Sequence, residues 1–273
     1  MRIETASLEN LRNSVCECLN IHYYTLFKEL NKLYDMKAEK SGEVFNEEVM
    51  KFIGSCNLTM PDEVEFYHLG WRLNGEETSE NKNLRELVLS PNSFSEYLEK
   101  HDITFSDDGL LKVFYKGDEI LKSNDNDAGY LRARLGMDDG YKDCCVNGFA
   151  FRDSLKTVPY WNDLRFGPEF LQMLAQYIQN RSLIEDYRKS GKYYCFKYIV
   201  PLDAVILDDF QDAVNKAKIY QLLDQCFRHL LYYHTNPQFD DFSGDSDNLR
   251  LRLKDTATMK KEWLVSKERI VVQ

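Results

Sequence analysis

The sequence lacks the features that mark several common classes of protein. It has no run of about 18 consecutive apolar residues, the length that a membrane-spanning helix needs. With 6 prolines and 13 glycines among 273 residues, it contains neither collagen-like repeats nor long low-complexity linkers. The motifs GxGxxG, GxxxxGK[ST], HExxH and GxSxG are all absent, which removes the main sequence support for Walker-type nucleotide binding, zincin chemistry and α/β-hydrolase chemistry.

No targeting segment is visible at the beginning of the sequence. The first ten residues, MRIETASLEN, contain no basic stretch followed by an apolar run, as a signal peptide would. We therefore expect a cytoplasmic protein that does not bind a membrane.

The seven cysteines include no pair with CxxC spacing, so neither a thioredoxin-type motif nor a zinc ribbon is supported. Most of them lie among apolar residues, which predicts reduced, buried thiols in a reducing compartment. The adjacent pair Cys144 and Cys145 could offer a nucleophile, but neighbouring strand residues point to opposite faces, and inert buried thiols are the simpler interpretation.

Basic residues are outnumbered by acidic ones, giving a formal net charge of −10 and a sequence pI of about 5.1. Binding along many phosphates needs a clustered basic surface, so this charge argues against broad nucleic-acid binding. It does not exclude a local basic cleft. The acidity also permits a non-enzymatic protein that binds a basic partner, such as an inhibitor or immunity-type protein. Hydrophobic residues at 43% and aromatic residues at 13% are sufficient for a full core.

The spacing of apolar residues predicts an α+β protein. Helical spacing predicts helices over residues 5–35, 46–55, 83–89, 93–100, 128–136, 168–179, 182–189 and 212–233. Aromatic and β-branched runs predict strands over residues 64–69, 103–105, 110–115, 144–151, 193–200, 204–207, 249–253 and 263–265. The residues SDDG at 106–109 predict a hairpin between the second and third of these strands, and residues 74–83 are predicted to form a polar loop. Because strands and helices do not alternate regularly, we expect a mixed, largely antiparallel sheet in a domain over residues 61–273, preceded by a helical segment over residues 1–60.

Two clusters could be taken for metal sites, and neither has convincing spacing. Cys226 and His229 share a helical face, but His234 is rotated away from them. The acidic loop over residues 236–248 does not have the alternating ligands and closing Glu of a calcium-binding EF-hand. We predict no metal.

His68 and Glu262 are the candidates for catalytic chemistry. His68 lies inside the hydrophobic run FYHL, and Glu262 precedes the hydrophobic run WLV. Each residue alone has an ordinary explanation, a hydrogen-bonded core histidine and a solvated strand-end charge.

Four segments, in order, resemble the ADP-ribosyltransferase fold, in the branch that uses His, an aromatic residue and Glu. They are FYHLG at residues 66–70, NGFAF at 147–151 with the helix at 168–179, YCFKYIVPLDAVILDD at 194–209, and KEWLVSKERI at 261–270. The resemblance covers about residues 63–273 and leaves out the N-terminal helices. NGFAF departs from the family's Ser-Thr-Ser or Tyr-rich form, and the helix at 212–233 and the loop after it are insertions.

The resemblance implies an α+β fold of ADP-ribosyltransferase type that cleaves the nicotinamide–ribose bond of NAD. Glu262 would stabilise the positive charge that develops on the ribose, and His68 would hydrogen-bond the ribose. Arg72 would meet the pyrophosphate. The aromatic residue that stacks on nicotinamide stays open among Phe149, Phe151 and Tyr160.

The resemblance also implies a toxin, an effector or a defence protein, with NAD as a substrate. The acceptor of ADP-ribose stays open among protein, nucleic acid, small molecule and water, the last giving an NAD glycohydrolase. The non-enzymatic acidic binding protein is the alternative from a different functional class.

Overall fold

The computed structural model describes residues 1–37, 42–73, 81–122, 124–138, 143–157, 159–207, 214–236, 248–254 and 257–271. The chain divides into two units that interleave along the sequence. Unit 1 consists of Met1–Tyr67, Gly148–Val158 and Lys197–Arg252, and unit 2 of His68–Asn147, Pro159–Phe196 and Leu253–Gln273. The predicted helical segment over residues 1–60 lies in unit 1. The division into this segment and a domain over residues 61–273 stays a prediction.

Helices and strands follow one another without a regular βαβ order. The helices are α1 (Leu8–Leu19), α2 (Tyr23–Lys37), α3 (Gly42–Ser55), α4 (Leu84–Leu89), α5 (Ser93–Lys100), α6 (Gly129–Arg134), α7 (Pro159–Leu164), α8 (Glu169–Tyr177), α9 (Ser182–Ser190) and α10 (Asn215–Thr235). The strands are β1 (Arg2–Ile3), β2 (Glu63–Leu73), β3 (Ile103–Asp107), β4 (Leu111–Tyr115), β5 (Asp118–Ile120), β6 (Asn147–Phe149), β7 (Gly191–Pro201), β8 (Val205–Leu207), β9 (Arg250–Leu253) and β10 (Leu264–Ile270).

These strands form two sheets. The larger has the order β10-β7-β2-β6-β9-β8, with β1 added in parallel to β2, and the smaller has the order β3-β4-β5. The larger sheet is largely antiparallel, so the predicted α+β class is confirmed. The hairpin predicted around Ser106–Gly109 is also confirmed, because β3 and β4 pair antiparallel and Gly109 has a φ of 106°, which favours glycine.

The single helix predicted over residues 5–35 is wrong, because the chain forms two helices there. Ser7 caps the start of α1, and Asn20 ends it in the left-handed region at φ 53°. The backbone N–H of Asn20 donates to carbonyls of the last turn of α1, which closes the helix before α2 begins at Tyr23. Asparagine tolerates this left-handed conformation. The spacing of apolar residues does not show that a helix ends there.

The strand predicted over residues 144–151 is shorter than expected. Only Asn147–Phe149 form β6, and the backbone of Phe151 is bound by a side chain instead of a strand. The side-chain oxygen of Asn248 accepts from the Phe151 N–H at 3.0 Å, and the Asn248 amide donates to the Phe151 carbonyl at 2.5 Å. The predicted polar loop at 74–83 and acidic loop at 236–248 lie mostly outside the described residues, including Asp240, Asp241, Asp245 and Asp247.

In unit 1, α10 packs on α1, α2 and α3. Its apolar side chains recur at helical spacing and are buried, as predicted for a helix in this region. Among the described residues, no helix is both long enough and apolar enough to cross a membrane.

A buried carboxylate in unit 1 connects β2 to β7 and to the segment after β1. Glu65 is 2% exposed and its Oε2 accepts from the Thr5 N–H at 2.8 Å and from the Tyr67 hydroxyl at 2.7 Å. Lys197 of β7 pairs with the other carboxylate oxygen. Burying a charge is costly unless it is paired and hydrogen-bonded, and each oxygen of Glu65 has a partner.

The ring of Phe66 leaves no room for a side chain at Gly148. A Cβ at Gly148 would overlap the fully buried Phe66 ring. We expect Gly148→Ala to lower the free energy of unfolding by about 1–3 kcal/mol, as overpacking does. Urea denaturation, followed by circular dichroism, measures this change in the free energy of unfolding.

The matched control is Gly54→Ala in α3, where nothing lies within 4 Å of the added Cβ. That change should raise the free energy of unfolding by about 0.5–1 kcal/mol, since alanine is the better helix former. Equal stabilities of the two variants would contradict the close contact between Gly148 and Phe66.

Candidate functional site

One half-exposed face of β2 carries the polar residues His68 and Arg72, with Gly70 between them. Successive strand residues point to opposite faces, so these three share one side. The intervening residues Leu69 and Trp71 are buried. This face lies in unit 2, and we call it the His68 face, defined by the half-exposed residues His68, Gly70 and Arg72 of β2 with the buried residues Tyr194 and Phe196 of β7.

The imidazole of His68 is held in one orientation. Its Nδ1 lies 2.8 Å from the carbonyl oxygen of Asn147. Since a carbonyl only accepts, Nδ1 carries the proton and Nε2 of the neutral ring is an acceptor. Burial, with a smaller contribution from the charge of Arg72, lowers the pKa of His68 to about 4, so the ring is neutral near pH 7.

Gly70 leaves space for two nitrogen atoms of this face. A Cβ at Gly70 would lie 2.9 Å from Nε2 of His68 and 3.0 Å from Nη1 of Arg72. The acceptor of the imidazole and the donors of the guanidinium therefore converge over a residue that has no side chain. A donor and an acceptor this close together can bind two neighbouring polar atoms of one ligand.

Arg72 is fixed by aromatic and polar contacts. Its guanidinium lies 4.4 Å from the centre of the Phe196 ring, and Nη1 donates to the Trp71 carbonyl at 2.8 Å. Nη2 donates to the side-chain oxygen of Asn81. Phe196 also lies 6.1 Å from the His68 ring, centre to centre. A positively charged group beside an aromatic ring is common where planar or anionic groups are bound.

Sequence reasoning missed Phe196 and Tyr194 as members of this face. Tyr194 lies 5.8 Å from Phe196, centre to centre. The alternation in YYCFKYIV was the signal that could have found them, because it places residues 194 and 196 on one side of the strand.

Glu262 lies in a short 3-10 turn at Lys261–Trp263, directly before β10, and its side chain is exposed. In the sheet order, β10 is next to β7, and β7 is next to β2. Two strand spacings separate β10 from β2, about 10 Å. The strand that follows Glu262 and the strand that carries His68 therefore lie on either side of β7, which carries Phe196.

The three aromatic candidates for nicotinamide stacking have different surroundings. Phe149 and Phe151 belong to unit 1 and are buried, and the Phe151 ring is stacked on His229 at 3.9 Å. Tyr160 belongs to α7 in unit 2 and is exposed. The choice among them stays a prediction.

The other sequence candidates occupy ordinary structural positions. Cys226 and His229 are fully buried in α10, whereas His234 contacts Asn31 at 2.9 Å. Cys144 and Cys145 are both buried. Within the described ranges, no group of three or more His, Cys, Asp or Glu side chains is arranged to hold a metal ion.

A cavity of about 1180 Å³ lies elsewhere in unit 2, between α4, the β3–β4 hairpin, β5 and α6. None of His68, Arg72 and Glu262 lines it, although Cys144 does. Four basic side chains line it. Arg85, Arg132 and Lys112 are paired with Asp107, Asp138 and Asp108, whereas Lys122 is exposed. The ion pairs neutralise three of these four cations, which weakens the attraction of the wall for an anion.

Comparison with known proteins gives no match: no protein-family model, no curated protein and no solved structure matches this chain.

The low pKa of His68 predicts a stability that depends on pH. The pKa is about 4 in the folded protein against an ordinary value of 6.5, so between these values the unfolded chain binds a proton that the folded chain does not. The free energy of unfolding should therefore fall as the pH is lowered through this window, by about 1 kcal/mol between about pH 7 and pH 5, allowing for the partial exposure of the ring.

The measurement is urea denaturation at the two pH values, with His68→Gln as the reference. Glutamine can still donate to the Asn147 carbonyl but does not titrate, so the remaining pH dependence of this variant comes from other groups. An identical pH dependence in the two proteins would contradict a depressed pKa at His68.

Proposed function

We propose that this protein is an NAD-dependent ADP-ribosyltransferase whose dinucleotide binds on the His68 face. The observation that carries the proposal is the fixed, neutral imidazole of His68, whose acceptor Nε2 converges with the guanidinium of Arg72 over Gly70. An acceptor at this point suits a ribose hydroxyl, and the guanidinium suits the neighbouring pyrophosphate.

Phe196 supports the two polar groups of the face from the core. It lies beside both His68 and Arg72 but is only 1% exposed, and Tyr194 beside it is also buried. The residue that stacks on nicotinamide would be one of Phe149, Phe151 and Tyr160, of which Tyr160 is exposed.

Glu262 would supply the negative charge that the reaction needs. When the bond between nicotinamide and ribose breaks, its electron pair leaves with neutral nicotinamide and a positive charge develops on the ribose. A carboxylate beside the ribose stabilises that charge, and a nucleophile of the acceptor then attacks the same carbon and loses its proton. Glu262 is exposed and lies just before β10. One strand, β7, separates β10 from β2, the strand that carries His68.

The decisive experiment follows nicotinamide release from NAD by the purified protein and by Glu262→Gln. Loss of the carboxylate should reduce the rate by about 100-fold or more, as does removal of a group that stabilises transition-state charge. The control is Glu268→Gln, which changes an exposed glutamate within β10 and should leave the rate unchanged.

Equal rates for Glu262→Gln and the wild type would overturn the catalytic assignment. If calorimetry shows no NAD binding, the non-enzymatic acidic binding protein becomes the better hypothesis. Release without any ADP-ribosylated acceptor would identify an NAD glycohydrolase, in which water is the nucleophile.

Gly70→Ala tests the geometry of the face separately from the chemistry. The added Cβ would push apart Nε2 of His68 and Nη1 of Arg72, so the dissociation constant for NAD should rise by about tenfold or more. Gly129→Ala, where nothing lies within 4 Å of the added Cβ, is the control for calorimetry. Unchanged affinity in Gly70→Ala would place NAD elsewhere.

A further inference from the structure

Helix α2 in unit 1 exposes an unusual amount of aromatic surface. Exposed fractions are 50% for Tyr23, 66% for Tyr24, 39% for Phe27 and 52% for Tyr34. Taking about 200 Å² for a whole aromatic side chain, this is roughly 400 Å² on one helix. This area is comparable to the largest apolar patch of an ordinary monomer, and such a patch is often functional.

The exposed residues form two rows along the helix. At about 100° per residue, Tyr23, Phe27 and Tyr34 fall within an arc of about 40°. Tyr24, Lys28 and Asp35 form a second row of about the same width beside the first. The buried residues Leu26, Leu30 and Leu33 occupy an arc of about 60° that begins about 20° from Tyr23, so the first row borders the buried side of the helix.

The second row carries two charges of opposite sign, about two helical turns apart. Lys28 lies over the Tyr24 ring at 4.7 Å, and Asp35 is exposed. Within the described part of the chain, neither Lys28 nor Asp35 has an ion-pair partner. By contrast, the neighbouring Lys32 is paired with Glu29 and Glu48.

We propose that this face of α2 binds a second copy of the chain, with the two α2 helices antiparallel about a two-fold axis. If the axis passes midway between residues 28 and 35, Lys28 of each copy meets Asp35 of the other. A two-fold interface must be complementary to itself, and a row with a cation toward one end and an anion toward the other meets that requirement.

Other occupants fit the charges less well. A polyanion such as a single-stranded nucleic acid would stack on the tyrosines and meet Lys28, but it would also meet Asp35 and a chain of net charge −10. In this register residues 26–37 of the two α2 helices overlap, so Phe27 and Tyr34 of each copy lie in the contact and Tyr23 and Tyr24 lie beyond its ends. The two copies then bury about 360 Å² of aromatic surface, well below the roughly 1,000 Å² of a stable interface, so the proposed dimer is a weak one.

The test is sedimentation velocity of the full chain from about 1 to 200 μM, a range that detects micromolar association. The wild type should shift from 32.2 kDa toward twice that mass. Lys28→Asp and Asp35→Lys should each weaken the dimer by about tenfold or more, because each places like charges opposite one another. Lys122→Asp, the same charge change at an exposed residue outside α2, should have no effect.

Mixing the Lys28→Asp and Asp35→Lys variants separates the proposal from simple loss of structure. In the mixed dimer, both contacts across the two-fold axis again join a lysine to an aspartate, so a heterodimer should form at wild-type strength. A wild type that stays monomeric, a dimer indifferent to both variants, or a mixture that stays monomeric would each overturn the proposal. Tight binding of a labelled oligothymidine of about 20 nucleotides by a monomer would assign the face to nucleic acid instead.

Discussion

The buried ion pair between Glu65 and Lys197 is the constraint on which the central strands depend. A carboxylate that is 2% exposed is tolerated only because Thr5, Tyr67 and Lys197 occupy its oxygens. The pair joins β2 to β7 and so specifies their register, since a slip of one residue would separate the charges. Register matters here because such a slip also turns every side chain of a strand to the opposite face.

The same two strands continue into the His68 face. Fixed register keeps His68 and Arg72 on the half-exposed side, whereas Trp71 is held on the buried side, stacked on Tyr193 at 5.5 Å with its indole N–H donating to the Leu164 carbonyl. The exposed side can thus carry polar groups that the core could not accommodate. Its neutral imidazole and adjacent guanidinium are compatible with a ligand that is part sugar and part phosphate.

Local sequence patterns predicted most elements because the physical signals are local. The hairpin at Ser106–Gly109 needed only a turn residue at positive φ, and α10 needed only apolar residues at helical spacing. The prediction was wrong at Asn20, where a single left-handed residue ends a helix without changing the apolar period. The strand predicted around β6 was too long, because the side chain of Asn248, distant in the sequence, binds the backbone of Phe151.

By itself, the sequence determined the α+β class and the positions of most helices and strands, because periodicity and turn chemistry act over a few residues. It also identified His68, Arg72 and Glu262 as candidates. Only the tertiary structure decided that Phe196 lies beside His68 and that the aromatic residues of α2 remain exposed. Those outcomes depend on which strands pair and which helix faces are covered, and such contacts join residues far apart in the chain.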